Sequence, residues 1–537
     1  MNRRIWKILI FVFPVVLILL VVISFILIKS LHVYRPSIYN YESYLSPSII
    51  NKIKKKYNYK EFKEVNEFTQ ALNAEKAIAG VGSDFQAAQL IIDNKIKKIN
   101  FELIYGEGAN DWNKRKLLYR PAIVKHIENF DQLIFKTILN GNTHAKVLNI
   151  EEMTYDVDND NVADHIYDYI LPYYSQDKGI AYNINSEIRP ELNVNGALEA
   201  LKDQNLKLSW EDIVQKLKAN NYNHFGWTNA YYDNLMIGAF YGKFKTPNVF
   251  TDQNYKTAVD KFIEFVEIET GNSIKDTKYN FTSGDGLELL SHLIEPKPNR
   301  SDAAILYNGD ALDAYFSEDN YASVPSGSIK FIRPKDNYLL LDCWIISKFL
   351  SDEETAKFLK TLKTNIYQNN FASNSYEQNY KNIENIFFKQ FKNELNDEIF
   401  NQELEKQLTI HKNDENFSQQ AIQNDLNDFK EALKQNDLVK LLELRNHENA
   451  YFDELFSEMF ANSNSGEILN FDYISYTPVD IATYDFIKNW YFAGDEIALS
   501  MYEQPESDSE YKVYPYPIID TSLRTKIVSY YFERTKS

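Results

Sequence analysis

The fold class of this 537-residue chain follows from one stretch of sequence, KAIAGVGSDFQAAQLII at residues 76–92. Its first part, Lys76 to Val81, has the composition of a buried strand, and this strand breaks at Gly82-Ser83-Asp84. The apolar residues from Phe85 to Ile91 then recur with helical spacing. A short buried strand that turns directly into a helix is the building unit of layered α/β proteins.

The same unit recurs along the chain. We predict it at three further places: His224 to Trp227 with Asn229 to Phe240, Ala303 to Tyr307 with Gly309 to Phe316, and Tyr338 to Ile346 ahead of a capping box at Ser351 and Glu354. This alternation predicts an α/β protein in which most strands pair in parallel.

Composition and charge exclude several classes of protein. The chain has 58 basic and 76 acidic side chains, a net charge of −18, 44% hydrophobic residues and one cysteine, Cys343. These values rule out collagen-like, wholly disordered and disulfide-rich proteins, and the length predicts two or more lobes. Because the excess of acidic residues would repel phosphates, we do not expect a nucleic acid partner.

The N-terminus predicts a membrane anchor. Residues 8–28 are almost entirely apolar, and 21 helical residues span about 30 Å, the hydrocarbon thickness of a bilayer. Three basic residues precede this stretch, so we expect a single-pass protein of the cell membrane whose C-terminal domain is extracellular. The alternative is a cleaved signal peptide, but Ser30-Leu31-His32 lacks the small residues of a cleavage site.

One long segment is predicted to be mostly helical, because it has no glycine between Gly327 and Gly466 and no proline between Pro334 and Pro478. Within it, apolar residues recur every fourth position, at Ile383, Phe387, Phe391, Leu395 and Ile399. Such a stripe indicates either the core of a helical subdomain or a surface that binds a partner protein.

No motif of an enzyme is present. The chain lacks HExxH, GxSxG, P-loop, CxxC and GxGxxG patterns, and its eight histidines are scattered. We therefore do not expect an enzyme. An extracellular hydrolase stays a third class to consider, because catalytic triads assemble in space and not in sequence.

An acidic loop is a candidate calcium site. Oxygen donors alternate along it as in a calcium loop, at Asp156, Asp158, Asp160 and Asp164. Asn161 stands where glycine is usual, although asparagine also adopts the left-handed conformation, and Tyr167 stands where a glutamate is usual. The loop 156–168 therefore indicates either a Ca²⁺ site or a solvated acidic turn, and we expect no required cofactor.

Aromatic and acidic residues collect at the predicted strand ends, where open α/β sheets bind ligands. This set comprises Tyr41, Tyr44, Ser83, Phe85, Tyr231, Tyr232, Asp233, Tyr307, Asp310, Asp342 and Tyr476. Tyrosine rings and carboxylates together stabilise an organic cation once water is excluded. The alternative is a set of ordinary surface aromatics in a chain with 38 tyrosines.

Several short blocks occur in the order that is found in a known family. They are IYNYESYLSP at 38–47, IAGVGSDF at 78–85, GIAYN at 179–183, ILYNGDA at 305–311, LDCWII at 341–346 and ISYTP at 474–478. In these blocks the chain resembles the spermidine/putrescine-binding proteins of bacterial polyamine ABC transporters.

The resemblance implies a two-lobed periplasmic-binding-protein-like (type II) α/β fold that closes on a polyamine and delivers it to a permease. The partners it implies are this permease and, through the permease, the ATPase of the transporter. It also implies the residues that contact the ligand: Tyr41, Tyr44, Ser83, Phe85, Asp233, Tyr307, Asp342 and Tyr476. Tyr41 replaces a common tryptophan, Phe85 lacks a tyrosine hydroxyl, and Leu340 stands where an aromatic is common.

The resemblance further implies a domain organisation. Its parts are an anchor at 1–35, an N-lobe at 36–178 with an insertion at 102–168, a C-lobe at 179–341, a return to the N-lobe at 342–476 with a helical insertion at 364–470, and a C-terminal segment at 477–537 that packs on the C-lobe. Both insertions lie outside the resemblance. The competing function is that of a surface interaction protein that retains the binding-protein fold.

Overall fold

The structure is a computed structural model that describes residues 18–24 and 35–536, apart from 64, 142, 318–319, 446–450 and most of 395–417. It has a mixed α/β architecture, as predicted. Strands β1 to β13 cover, in chain order, Ser37–Tyr41, Asn58–Phe62, Ala79–Ser83, Lys146–Asn149, Thr154–Asp156, Ile170–Asn183, Phe225–Thr228, Asn280–Ser283, Ala303–Tyr307, Ile329–Ile332, Asp336–Ile346, Thr477–Pro478 and Lys512–Pro515.

One large sheet organises the molecule. Its strand order is β2-β1-β3-β11-β6-β9-β7-β8, with β10 and β12 also paired to β6 and β13 paired to β11. β4 and β5 form a separate two-stranded sheet. The long strands β6 and β11 lie at the centre of the large sheet and are almost entirely buried, because protein covers both of their faces.

Pairing is parallel away from the centre of the sheet and antiparallel at the centre. β1 runs parallel to β2 and β3, and β7 runs parallel to β8 and β9. β6 and β11 are antiparallel to each other, β6 is antiparallel to β9 and β11 is antiparallel to β3, whereas the short strand β13 pairs with β11 in parallel. The prediction of mainly parallel pairing is therefore wrong for the centre, because the two longest strands cross it in opposite directions.

β6 joins the two halves of the sheet. Its residues 170–177 pair with β11 and its residues 178–182 pair with β9. We call β1, β2, β3 and β11 the first half and β7, β8 and β9 the second half. The polar residues Gln176, Asp177 and Lys178 lie where β6 passes from one half to the other, and all three are buried.

Helices cover the faces of the sheet. In chain order, α1 to α22 are Pro47–Lys54, Val65–Asn73, Asp84–Ile92, Glu102–Tyr105, Trp112–Arg115, Pro121–Asn140, Ile166–Tyr169, Val194–Leu201, Trp210–Lys218, Tyr231–Tyr241, Tyr255–Thr270, Gly286–Ile294, Asn308–Tyr315, Asp352–Asn365, Tyr376–Glu394, Gln419–Gln435, Leu438–Arg445, Tyr451–Ala461, Gly466–Ile474, Ile481–Trp490, Glu496–Tyr502 and Thr521–Lys536.

Two of the predicted helix starts show the expected capping contacts. α3 begins directly after the break in the 76–92 stretch, and the side chain of Gln86 accepts the N–H of Ser83 at 3.0 Å. α14 begins after Ser351, whose hydroxyl accepts the N–H of Glu354 at 3.3 Å. These contacts satisfy backbone donors that the first helical turn leaves unpaired.

The apolar stripe of α15 lies in a hydrophobic core. Ile383, Phe387 and Phe391 are fully buried in a cluster that also contains residues of α16, α18 and α20. The ring of Phe387 lies 4.9 Å from that of Phe460 and 5.2 Å from that of Phe486. The stripe therefore forms the core of a helical unit, and these three residues are not a free surface for a partner. Residues 395 and 399 lie outside the described part of the chain.

The predicted transmembrane segment lies mostly outside the described residues. Of residues 8–28, only 18–24 are described, and they form an exposed helical stretch. In the described part of the chain, we find no helix with the length and apolar character needed to cross a bilayer. The membrane anchor stays a prediction.

Phe387→Ala should destabilise the helical unit by about 3–5 kcal/mol, because it removes a fully buried ring and leaves a cavity. Chemical unfolding of the full chain measures this loss. Val439→Ala in the same unit is the matched control, since Val439 is 72% exposed and should change the free energy of unfolding little. Equal effects of the two substitutions would contradict the packing described.

Candidate functional site

The register of the sheet brings the predicted site residues to the junction of its two halves. Asp342 of β11 pairs with Ser83 at the end of β3 on one side and with Tyr174 of β6 on the other. The register of β11 against β6 shifts immediately after Asp342, which indicates a bulge at this point. Bulges locally re-aim side chains, and here the carboxylate lies beside the side chains of β3 and β6.

Asp342 is a buried carboxyl group with a shell of donors. Its carboxylate accepts hydrogen bonds from the hydroxyl of Tyr44, from Ser83 Oγ at 3.1 Å and from Gln176 Nε2 at 3.0 Å. Burial raises the pKa of Asp342 to about 7, and the nearby Asp84 adds to this effect, whereas the three donors oppose it. The carboxyl group therefore titrates close to neutral pH.

Gln176 leaves one acceptor unused at this position. Its amide nitrogen also contacts the hydroxyl of Tyr44, at 3.2 Å. Its amide oxygen is buried, and among the described residues it has no hydrogen-bond partner. A buried acceptor without a donor costs free energy, so a donor that enters next to Asp342 would be stabilised there.

Tyrosine rings lie against the Asp342 position. The ring of Tyr44 lies 5.4 Å from that of Tyr41 and 5.2 Å from that of Tyr476. Tyr476 also donates a hydrogen bond to Asp310 at 2.9 Å. Its ring lies directly on Gly309, where a Cβ atom would come within 2.1 Å of the ring, so only glycine fits here. The rings pack on one another beside the carboxylate, and aromatic rings next to an anion can stabilise an ammonium group.

A second acidic position lies at the second half of the sheet, and the chain's own lysine contacts it. Lys178 Nζ lies 2.8 Å from a carboxylate oxygen of Asp233 and 3.7 Å from the ring centroid of Tyr307. Tyr516 donates a hydrogen bond to the other oxygen of Asp233, and its hydroxyl lies 3.3 Å from that of Tyr307. Lys178 and Asp233 are both buried. This is the chemistry expected for a bound organic cation, but here the cation belongs to the protein.

Phe85 joins the two positions. Its ring lies 4.5 Å from that of Tyr232 on α10 and stacks on that of Tyr516 at 5.5 Å. The structure thus places all eight predicted ligand contacts in one aromatic and acidic cluster. Tyr41, Tyr44, Ser83, Asp342 and Tyr476 form the first position, Asp233 and Tyr307 form the second, and Phe85 follows Ser83 in the chain and contacts the second position through Tyr516. Their role in binding a ligand stays a prediction.

Three residues of the cluster were not predicted from the sequence. Gln176 and Lys178 belong to a signal that is visible in hindsight, the four successive polar residues 175–178 inside a largely apolar strand. Tyr516 gives no such signal, because it lies in a tyrosine-rich segment near the C-terminus and reaches Asp233 across 283 residues of sequence.

The geometry does not support a hydrolase. In the part of the chain that the structure describes, the serine and histidine in contact are Ser301 and His292, with 2.8 Å between Oγ and Nδ1. The other ring nitrogen of His292 lies 3.1 Å from Arg300, at the place where a triad has a carboxylate. A cation at this place cannot orient or stabilise a protonated histidine.

The acidic loop brings together three of its four predicted ligands. Oxygen atoms of Asp156, Asp158 and Asp164 lie within 4.8 Å of one another, which is compatible with Ca²⁺. Asp160 does not belong to this group, because its carboxylate closes a turn by accepting the N–H of Val162 at 2.7 Å. Asn161 has a φ of 63°, the left-handed conformation predicted for it.

Protein groups already contact the carboxylates of this loop. Asp164 accepts hydrogen bonds from Lys98 Nζ at 2.6 Å and from the hydroxyl of Tyr169 at 2.7 Å. Asp156 accepts the N–H groups of Asn159 at 2.6 Å and Asn161 at 2.9 Å. A calcium ion would therefore compete with the ammonium of Lys98.

Comparison with known proteins gives similar structures at low sequence identity. No protein-family model matches the chain, and no curated protein matches its sequence. A putative spermidine/putrescine ABC transporter from Listeria monocytogenes is 13% identical, with a TM-score of 0.44 over 93% of this chain and 98% of that chain. The spermidine/putrescine ABC transporter substrate-binding protein PotD from Streptococcus pneumoniae is 11% identical, with a TM-score of 0.43 over 93% and 97% of the two chains.

A solute-binding protein of an ABC transporter from Thermotoga lettingae, bound to α-D-tagatose, is also similar. It is 13% identical, with a TM-score of 0.37 over 65% of this chain and 79% of that chain. The ligands after which these proteins are named differ in chemistry, since the first two are polyamines and the third is a sugar.

Asp342→Asn should change how stability depends on pH. The folded state of the wild type keeps the proton of Asp342 up to about pH 7, whereas the unfolded chain loses it near the ordinary value of 3.8. The free energy of unfolding therefore falls through this group as pH rises from about 4 to about 7.

Asn does not ionise, so this variant should gain stability relative to the wild type as pH rises from 5 to 8. Chemical unfolding at a series of pH values measures the difference. Asp428→Asn, a change at an exposed carboxylate of α16, is the control and should follow the wild type. A constant difference between Asp342→Asn and the wild type across this range would show that Asp342 does not titrate there.

Proposed function

We propose that this chain is the solute-binding subunit of an ABC importer and that it binds amines of the polyamine class, such as putrescine and spermidine. It would do no bond chemistry. The observation that carries this proposal is the buried Asp342 carboxylate beside the rings of Tyr41, Tyr44 and Tyr476, together with the unused acceptor of Gln176. An ammonium group there would meet an anion, π faces and an acceptor in a dry environment.

The topology suggests how the site would open and close. β6 and β11 run through the centre of the sheet, and the proposed N-lobe and C-lobe would rotate about them. The contacts of Tyr476 with Asp310 and of Phe85 with Tyr232 would separate on opening and form again on closure. A ligand that binds the closed form better shifts the population toward it, and a permease would recognise that form.

The remaining parts of the proposal follow from the sequence. Residues 8–28 would hold the protein in the cell membrane, with residues 36–537 outside the cell. The partners would then be the permease of the importer and, through it, the ATPase. The resemblance of the ordered sequence blocks to polyamine-binding proteins supports the choice of ligand.

A surface interaction protein is the competing function. The helical unit around Phe387 lies outside the resemblance, and a partner would bind its exposed face if the amine site is not used. The two functions differ in one property, because only the first requires that the cluster around Asp342 binds an amine.

Putrescine or spermidine at millimolar concentration should raise the midpoint of thermal unfolding of the full chain by several degrees, since a ligand that binds only the folded state stabilises it. Asp342→Ala should abolish the shift, because it removes the anion at the first position. Asp428→Ala is the matched control and should retain it. The absence of a shift in the wild type at millimolar polyamine would favour the surface interaction protein.

We further propose that the 156–168 loop binds Ca²⁺ through Asp156, Asp158 and Asp164, with Lys98 displaced from Asp164. Calcium should then raise the midpoint of thermal unfolding, and Asp158→Asn should abolish this effect. Asp158 is the best probe, because its carboxylate is exposed whereas those of Asp156 and Asp164 are buried and also support the loop. Equal effects of calcium on the variant and the wild type would identify a solvated acidic turn.

A further inference from the structure

Lys178 is held firmly in the second acidic position. Its backbone pairs with Tyr307 between β6 and β9, and its carbonyl oxygen accepts a hydrogen bond from Asn337 Nδ2 at 2.7 Å. Its side chain is only 4% exposed, and that of Asp233 only 1%. The ammonium therefore cannot move into solvent without breaking a buried ion pair and a contact with the π face of Tyr307.

The two residues of β6 that contact the acidic positions are one strand repeat apart. Gln176 and Lys178 are two residues apart on β6, so their side chains point to the same face of the sheet at a spacing of about 6.8 Å. Gln176 contacts Asp342 at the first position, and Lys178 contacts Asp233 at the second. The same face of one strand thus serves both carboxylates, and at the first position the amide oxygen of Gln176 has no hydrogen-bond donor among the described residues.

At the second position, we expect Asp233 to pair with Lys178 in preference to the ammonium group of a ligand. A tethered ammonium has a high effective concentration at its partner, whereas the ammonium of a ligand must be supplied from solution. A ligand that displaced Lys178 would also leave the displaced ammonium buried without a partner, at a large cost in free energy. The second ammonium of a diamine therefore gains nothing by approaching Asp233.

We infer that Lys178 takes the place of a ligand's second ammonium, so that the site recognises one ammonium, at Asp342, and does not distinguish diamines from monoamines. This inference rests on the proposed function. It narrows the proposed ligands to primary amines that are recognised by a single ammonium group, at Asp342. Putrescine binds by one of its ends, and its other end stays outside the contact between Lys178 and Asp233.

Calorimetry on the full chain with putrescine and with n-butylamine, its analogue with a single ammonium, tests this inference. The two ligands should bind the wild type with dissociation constants within threefold of each other. A preference of tenfold or more for putrescine would overturn the inference and leave the proposed function intact. This comparison uses only the wild type, so it is decisive even where a variant does not fold.

Lys178→Met should open the second position. Putrescine should then bind at least tenfold more tightly than to the wild type, because its second ammonium pairs with the unpartnered Asp233, whereas the affinity for butylamine should stay unchanged. The double variant Lys178→Met with Asp233→Asn is the matched control. The double variant removes both charges of the pair, so the tighter binding of putrescine should be lost.

Three outcomes contradict the inference. An unchanged affinity of Lys178→Met for putrescine would show that Lys178 does not occupy an amine position. Tighter binding of 4-aminobutyrate than of butylamine to the wild type would show that Lys178 acts as an anion receptor. Failure of all these amines to bind the wild type and Lys178→Met alike would overturn the proposed function as well.

Discussion

Four consecutive polar side chains, Ser175 to Lys178, are buried in the middle of β6, and the arrangement of the molecule depends on satisfying them. Gln176 contacts Asp342, Asp177 accepts two hydrogen bonds from Arg333 at 2.6 and 3.2 Å, and Lys178 pairs with Asp233. Each unpaired group would cost several kcal/mol in this environment. The partners come from distant segments, so satisfying β6 also fixes where β11 and α10 lie.

This requirement connects the fold with the candidate site. Side chains alternate along a strand, so Asp177 faces Arg333 on one side of the sheet while Gln176 and Lys178 face the aromatic and acidic cluster on the other. The residues that hold the two halves of the sheet together are therefore the neighbours of those that would contact a ligand. Binding or release of a ligand at Asp342 would therefore act directly on β6, the strand that both halves of the sheet share.

The buried charges would also set the selectivity of the proposed site. Asp342 lies among neutral donors and forms no ion pair within the described part of the chain, whereas Asp233 is paired with Lys178. The two carboxylates thus lie in similar aromatic surroundings, but only Asp342 would be available to pair with the ammonium group of a ligand. The helical unit around Phe387 takes no part in this chemistry, because its aromatic residues pack on one another and on α20.

Local sequence determined the α/β class, the break between β3 and α3 and the cap of α14, because strand and helix periodicity and capping act over a few residues. The eight predicted residues of the cluster came from the ordered sequence blocks that resemble polyamine-binding proteins. Only the tertiary structure decided that β6 and β11 are antiparallel, that Asp160 lies apart from the other loop carboxylates, and that Lys178 pairs with Asp233. Tyr44 and Asp342 are 298 residues apart in the chain, and no local pattern encodes which buried charge meets which partner. That pairing is set by the desolvation of whole strands, which exists only once the sheet has formed.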